Sequence, residues 1–533
     1  MTDITAATTP GLRSQTLGDL LRRSASRLPH KTAIVCGEVR WSYAEFDALC
    51  NRLAAGLASH GVRKGDRFAV LSRNSHAFAA LRYALARLGA VLVPINFMLK
   101  ADEAAFILRH AGARWLALDS GLAALGQQAS ALDTQVRQFL WLPSETPGEA
   151  PGDALADMLR FDDLARCSDA VPEVELAGSD LLQIVYTSGT ESLPKGAMLT
   201  HEAVIWQYVS CIVEGEMVET DTMLHSLPLY HCAQLDVFLG PAVYVGATNV
   251  ITATPTPDNL LPLIGRHGID SFFAPPTIWI ALMRSPLFAD ADLRSLRKGY
   301  YGASIMPVAV LHDMQRLLPQ VRLWNFYGQT EIAPLATVLK PHDQLRKAGS
   351  AGRPALNVET RVVDEAMCDV PVGAIGEIVH RSPQLLVGYY HDDERTRAAF
   401  EGGWFHSGDL GVCDDEGYIS VVDRKKDMIK SGGENVASRE VEEAIYALSQ
   451  VSEVAVIGLP HPRWIEAVAA VVVLKPGHVL TEAELTTHCT ARLAGFKVPK
   501  AVVFADSLPK NPSGKLLKRD LRELHARQFD SAG

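Results

Sequence analysis

The eight cysteines of this 533-residue chain lie scattered with no Cys-x-x-Cys or Cys-x-x-Cys-plus-His spacing, so neither a disulfide framework nor a zinc site is indicated. Long apolar runs are missing too: the most apolar uninterrupted stretch, Ala467 to Leu474, falls far below the roughly 18 residues that a membrane span needs. Nor is there a basic excess. Lys plus Arg number 51 against 61 Asp plus Glu, a formal net charge of -10, which gives no general attraction to nucleic acid or anionic lipid. The segment from Met1 to Thr16 is polar and threonine-rich without an apolar core, unlike a secretory signal. A reducing cytoplasm, no transmembrane segment and no nucleic-acid partner are therefore expected. Hydrophobic residues at 48% and charged residues at 21% are ordinary globular usage, which excludes disordered and fibrous classes. The length requires more than one core.

What is present is an alternation of helical and strand-like stretches. Leu17, Leu20 and Leu21 recur at helical spacing, and Ala33-Ile34-Val35 reads as a short buried strand. Arg67–Leu71, a helical stretch through Leu88 and Ala90–Pro94 make a strand, helix, strand unit with the continuous apolar strands of a parallel sheet. The pattern returns at Asn249–Ile251, Ser271–Ala274 and Val321–Trp324, which predicts an α/β fold with doubly wound sheets and ligands at strand carboxyl ends. From about 348 to 422, short apolar runs such as Ile375–Val379 alternate with Gly, Pro and Asp, the composition of a small β subdomain. The charged cluster Asp423–Asp427 precedes a compact α+β tail: a helix from Arg439, strands at Val454–Ile457 and near Val468–Val473, and a helix near Glu482–Leu493. The expected domains are 1–424 and 425–533.

The chemistry starts at Tyr186-Thr187-Ser188-Gly189-Thr190-Glu191-Ser192-Leu193-Pro194-Lys195-Gly196, after the apolar Leu181–Val185. Glycines let backbone N–H groups approach an oxyanion, and Thr187, Ser188, Thr190 and Lys195 add donors. It is not a Walker A loop, because no Gly precedes Lys195 and no Ser or Thr follows it. By itself the run also suits an ordinary surface turn.

Four further segments follow in order: Tyr327-Gly328-Gln329-Thr330-Glu331; Gly403-Trp404-Phe405-His406-Ser407-Gly408-Asp409; Asp423-Arg424-Lys425-Lys426-Asp427 running into Ser431-Gly432-Gly433-Glu434-Asn435; and Pro512-Ser513-Gly514-Lys515. Together the five motifs, over nearly the whole chain, resemble the adenylate-forming superfamily of acyl-CoA synthetases, luciferases and peptide-synthetase adenylation domains. The resemblance implies an ATP-dependent, AMP-forming acid–thiol ligase with Mg²⁺ and CoA, in which a small C-terminal domain is mobile. Lys515 matches the catalytic lysine that reaches the carboxylate and α-phosphate. Glu331 and Thr187 match the Mg²⁺ ligands, and Mg²⁺ takes only one or two carboxylates beside waters and phosphates. Thr330 is implied at the α-phosphate, Gly302, Ala303, Ser304, Asn325, Phe326 and Tyr327 around adenine, and Gly328 as a further nucleotide contact. Asp409 matches the ribose acceptor, with Arg424 and Lys430 as further nucleotide contacts. For Tyr327 and Phe326 plain core packing is the alternative, and for Asp409 a turn.

His231 matches the residue beside the acyl carboxylate and the thioester tunnel. Lys426 stands at the hinge position, and Ser431, Gly432, Gly433 and Glu434 would line the pantetheine tunnel. The acyl pocket is expected at Gln207, His231, Gln234, Leu235, Gly302 and Ala336, with no Lys or Arg to meet a second carboxylate. A fatty or thioether monocarboxylic acid is the expected substrate. The alternatives are an aryl-acid CoA ligase, an enzyme loading an acyl or aryl group onto a carrier protein, and an inactive nucleotide-binding protein; a homodimer is compatible with all of them. Two positions depart from the family pattern. Glu191 and Ser192 stand where Thr and Gly are usual, and a carboxylate there repels a triphosphate unless it is paired or turned away. Peptide synthetases usually place Asp after the His231 position to clamp an ammonium group, whereas this chain has Cys232.

Overall fold

A computed structural model describes residues 15–145, 158–170, 173–187, 194–302, 306–432, 434–510 and 516–529. Two large mixed sheets carry the N-terminal part. In the nine-stranded sheet, strands Arg322–Gly328, Lys298–Gly302, Ser271–Phe273, Thr222–His225, Thr248–Ile251 and Thr32–Cys36 run parallel in that spatial order. Antiparallel strands flank both ends, Leu335–Leu339 beside Arg322–Gly328 and Val39–Ser42 beside Thr32–Cys36. In the eight-stranded sheet, Leu181–Thr187, Val91–Pro94, Arg67–Leu71 and Trp115–Leu118 are parallel neighbours, while Lys195–Thr200 returns antiparallel on Leu181–Thr187. The expected α/β class and doubly wound layout hold, with antiparallel margins that the sequence reading did not foresee.

The two hydroxyl and aromatic motifs are less loop-like than expected. Thr187 and Lys195 face each other as the last and first residues of paired strands. Asn325, Phe326, Tyr327 and Gly328 all belong to a strand, with Tyr327 opposite Thr337. Gly328 is needed there because a Cβ would lie 1.8 Å from the Pro334 carbonyl oxygen. Only glycine allows the following Gln329-Thr330-Glu331 turn so near the strand.

Helix His76–Leu88 is buried at every position. Ser75 caps its start by accepting from the Phe78 N–H at 3.2 Å, and Gly89 closes it in the left-handed region. A helix buried all round needs apolar residues on every face, which Ala77, Phe78, Leu81, Leu85 and their neighbours supply. Arg82 is the exception, and a buried guanidinium must be met by a counter-charge and acceptors. It donates to Asp236 Oδ1 (2.5 Å), Gln183 Oε1 (2.7 Å) and the Tyr208 hydroxyl (3.1 Å), while Gln183 Nε2 donates to Asp236 Oδ2 at 2.8 Å. This network joins the central helix to the strand leading to Thr187, to helix His201–Glu214 and to the wide turn Leu235–Leu239.

Four buried histidines, His76, His201, His225 and His380, have their imidazolium form disfavoured by burial, each falling to about 4. The unfolded chain protonates them near 6.5, so above that pH they cost nothing, and between about 6.5 and 4 the unfolded state binds protons that the folded state refuses. Stability should therefore fall as pH drops through that window, with up to about four protons taken up on unfolding near pH 5. Denaturant unfolding followed from pH 7.5 to 4.5 checks this; a flat profile counts against it.

Beyond the large sheets, strands Glu359–Val363, Gly376–Arg381, Phe405–Cys413 and Ile419–Arg424 form a four-stranded antiparallel sheet, the expected small β subdomain. It ends at Arg424, and the terminal five-stranded sheet starts at Ile429. There the strands are longer than expected, Val451–His461 against Ile465–Leu474, and helices Ser438–Tyr446 and Glu482–Thr490 cover them. No described helix is long and apolar enough to cross a membrane.

Candidate active site

A cavity of about 710 Å³ opens where the motif-bearing segments converge. Thr187 and Lys195 from the paired strands, Tyr230 to Ala233, Phe326 to Glu331 and Arg424 to Lys426 all contribute to its wall. Its size and mixed lining suit a nucleotide with a small acid. The nucleotide residues expected at Ser188, Gly189, Thr190, Ala303 and Ser304, the tunnel residue Gly433 and the catalytic candidate Lys515 lie outside the described residues, as do Glu191 and Ser192.

At the ribose candidate, strand pairing does the positioning. Asp409 and Arg424 are directly opposite across the antiparallel strands Phe405–Cys413 and Ile419–Arg424, so both side chains leave the same face. Arg424 Nε lies 3.3 Å from Asp409 Oδ1, and the Tyr327 hydroxyl donates to Asp409 Oδ2 at 2.7 Å. The carboxylate is thus held in one orientation while remaining an acceptor for hydroxyl groups. Lys425 and Lys426 are exposed in the turn that follows, where the Lys425 N–H donates to the Gly408 carbonyl at 2.9 Å. Glu377 binds this turn from below: its oxygens meet Lys425 Nζ (3.1 Å), His406 Nδ1 (3.2 Å) and the Gly408 N–H (3.2 Å). Burial opposes ionisation of Glu377, but Lys425 and His406 outweigh it and hold the carboxyl below its usual range.

His231 is the N-cap of the short helix Cys232–Gln234, and its Nδ1 accepts from the Ala233 N–H at 3.1 Å. That bond occupies Nδ1 with a backbone donor. Cys232 Sγ lies 3.3 Å from Thr330 Oγ1. Burial, reinforced by Asp236, pushes the Cys232 thiol up to about 12, so it packs against the α-phosphate candidate as a neutral group and is no thiolate nucleophile.

For a divalent cation, Glu331 and Thr187 offer one carboxylate and one hydroxyl on the same cavity wall as Lys195. That donor set fits Mg²⁺ carried by polyphosphate, since the phosphates and waters complete the shell. Glu331 Oε1 accepts from the Tyr389 hydroxyl at 3.0 Å. Tyr389, Arg395 and Glu377 lie outside the sequence motifs; the Gly388-Tyr389-Tyr390 run just before the charged stretch His391–Arg397 is the available signal for the first two.

Of the residues expected at the acyl pocket, several lie off this wall. Gln207 is fully buried, its amide nitrogen donating to the Ala333 and Asp236 carbonyls at 3.1 and 3.0 Å in the orientation that satisfies both. Gln234 spends its amide on His225 Nδ1 (2.8 Å) and the Leu227 N–H (3.2 Å), and Leu235 is core. Gly302 and Ala336 are also off the wall; a Cβ at Gly302 would meet the Phe326 carbonyl at 2.3 Å. His231, as expected, is on the wall, together with Tyr230, Cys232, Ala233, Val237, Phe238, Phe273, Phe326 and Leu335. Ser431 is buried and Glu434 exposed in a hairpin where they pair, and among the described residues nothing beyond Lys426 reaches the wall. The Lys430 side chain is exposed, and its backbone N–H donates to Glu466 at 2.7 Å.

Comparison with known proteins decides the family. The profile of AMP-binding enzymes matches residues 21–390, and that of the AMP-binding enzyme C-terminal domain residues 440–515. The chain belongs to the AMP-binding enzymes. Among its relatives are a feruloyl-CoA synthase of Amycolatopsis sp. and the long-chain-fatty-acid–CoA ligase FadD13 of Mycobacterium tuberculosis, each 37% identical over 512 residues. The matches span 96% of this chain and 99% and 98% of those proteins. The anthranilate CoA ligase AuaEII, solved with anthranoyl-AMP, superposes with a TM-score of 0.88 at 27% identity, covering 96% of this chain and 97% of that one. This AMP-binding enzyme is therefore an acid–thiol ligase, an AMP-forming CoA ligase for an acyl or aryl acid.

Proposed function

We propose that this AMP-binding enzyme couples ATP to the activation of a compact, apolar monocarboxylic acid and passes the acyl group to CoA. The observation that carries the reading is how charge is distributed around the cavity. Its cations, Lys195, Arg395, Arg424, Lys425 and Lys426, come from the phosphate hairpin, the segment after Tyr389 and the hinge turn; none comes from the stretches 230–238 or 326–335. Among the described residues the acyl end therefore has no Lys or Arg to neutralise a second carboxylate. Phe238 stacks on Phe273 with centroids 4.3 Å apart and an interplanar angle of 19°, and lies near-parallel to Phe326 at 5.8 Å. Such parallel rings offer a flat apolar face, which favours an aryl acid over a long flexible chain.

The residues divide the work. Lys195 and Thr187 hold the phosphates, Asp409 orients the ribose, Thr330 meets the α-phosphate, and Lys515 brings positive charge to the meeting of two anions. Mg²⁺, held by Glu331 and Thr187, would neutralise charge on the departing pyrophosphate. Lys426 serves as the hinge, and Ser431, Gly432, Gly433 and Glu434 as the CoA tunnel once the terminal domain turns; the place of work is the cytoplasm.

The purified chain, given ATP, Mg²⁺ and a panel of benzoates, cinnamates, 3-(methylthio)propionate and fatty acids from propionate to palmitate, should release pyrophosphate in an acid-dependent manner and form CoA thioesters. Aryl acids should turn over best and dicarboxylates poorly. Thioester formed only on a carrier protein, or no acid-stimulated pyrophosphate at all, overturns the proposal.

A further inference from the structure

Tyr389 sits on the two-residue edge strand Gly388–Tyr389, antiparallel to Lys195–Thr200, with Tyr389 opposite Ala197. The placement is over-determined. The Tyr390 N–H donates to the Gly196 carbonyl (2.8 Å), the Val387 N–H to the Met198 carbonyl (3.0 Å), and the Tyr389 N–H to Thr396 Oγ1 (2.9 Å). Just before the strand, the Leu386 N–H donates to the Glu331 carbonyl at 2.8 Å. The side chain is 7% exposed, so it has little freedom to leave.

From that post it touches two opposite charges at once. The hydroxyl donates to Glu331 Oε1 at 3.0 Å, and the Lys195 ammonium lies over the ring face, 5.1 Å from its centroid. With Oε1 accepting from Tyr389, Oε2 is the oxygen presented to a cation, and rotation of the carboxylate is suppressed. The ring's negative face gives the ammonium an attraction that leaves its N–H donors usable.

We propose that Tyr389 is a positioning residue. It sets Glu331 for one-oxygen coordination of the divalent cation that accompanies ATP, and keeps Lys195 over the same polyphosphate. The proposal rests on the reading of Glu331 and Lys195 given above, and goes beyond it by assigning the group that aligns them. Partners of metal-binding carboxylates typically matter by 10- to 100-fold in metal affinity.

The test uses Mn²⁺ with α,β-methylene-ATP, followed by electron paramagnetic resonance on the full chain, and needs no turnover. Tyr389→Phe should weaken Mn²⁺ binding in the ternary complex roughly 10-fold, with metal-free AMP binding and the melting temperature unchanged. In a Glu331→Gln background, Tyr389→Phe should have no further effect on Mn²⁺. Equal Mn²⁺ affinity in the Phe variant overturns the proposal, and so does an undiminished effect in the Gln background, which would mean that Tyr389 acts elsewhere. If no acid is ever activated while these binding results hold, the proposed reaction falls and the positioning role stands.

Discussion

Replacing Lys515 by alanine lowers acid-dependent pyrophosphate release about 10²- to 10³-fold, the usual effect of losing one preorganised electrostatic stabiliser. A carboxylate attacking a phosphate brings like charges together. At an effective dielectric near 20, unit charges about 4 Å apart interact by roughly 4 kcal/mol, so a single ammonium group outweighs any neutral hydrogen bond at the site. Among the described residues, the wall cations come from the phosphate hairpin, the segment after Tyr389, the ribose pair and the hinge turn, and the proposed reading gives the carboxylate to Lys515. Thioester formation from a supplied acyl adenylate and CoA should be nearly unaffected, because that step needs a leaving AMP and an entering thiol. The two half reactions assayed separately decide it; equal loss of both refutes the role.

Asp236→Ala is expected to have the largest effect on stability, about 3–5 kcal/mol, the range for removing one partner of a buried ion pair. Arg82 and Asp236 are 1% and 0% exposed, and the change strands a guanidinium that cannot shed its proton. Arg82→Met should be milder. Burial already pushes the Asp236 carboxyl above its ordinary range against the pull of Arg82, so without Arg82 it can take up a proton and keep Gln183 as a donor. Denaturant unfolding of both variants tests the order, and an equal cost for the two refutes this account.

Class, strand positions and the convergence of motifs were legible because they rest on local periodicity and on residues fixed within short segments. Asp409 and Arg424 were recognisable separately, and the sheet register supplied their pairing. The apolar pattern alone ends a strand near Trp324, short of Tyr327; the strand runs on through Gly328 because its neighbour Leu335–Leu339 pairs with it there. Several residues expected at the acyl pocket lie off the cavity wall for a different reason. Gln207 and Gln234 sit near the cavity in sequence, but their amides satisfy buried partners, Ala333 and Asp236 for one and His225 and Leu227 for the other. Whether a polar side chain faces a ligand or closes a gap in the core is settled by contacts that short-range pattern does not encode. Phe273 and Phe238 were hidden likewise, since apolar residues in strands and helices look the same whether they face a core or a cavity.

The chain passes from the small β subdomain to the terminal sheet within four residues, 425–428, and the first two of these also rim the cavity. With Lys426 as the proposed hinge, the fixed side of the joint is the turn that Glu377 holds through Lys425 and that Asp409 holds through Arg424. A hinge at this place, as proposed, would give the last hundred residues an anchored base only two residues from the Arg424–Asp409 pair, so a single backbone joint would separate the part that turns from the part that grips.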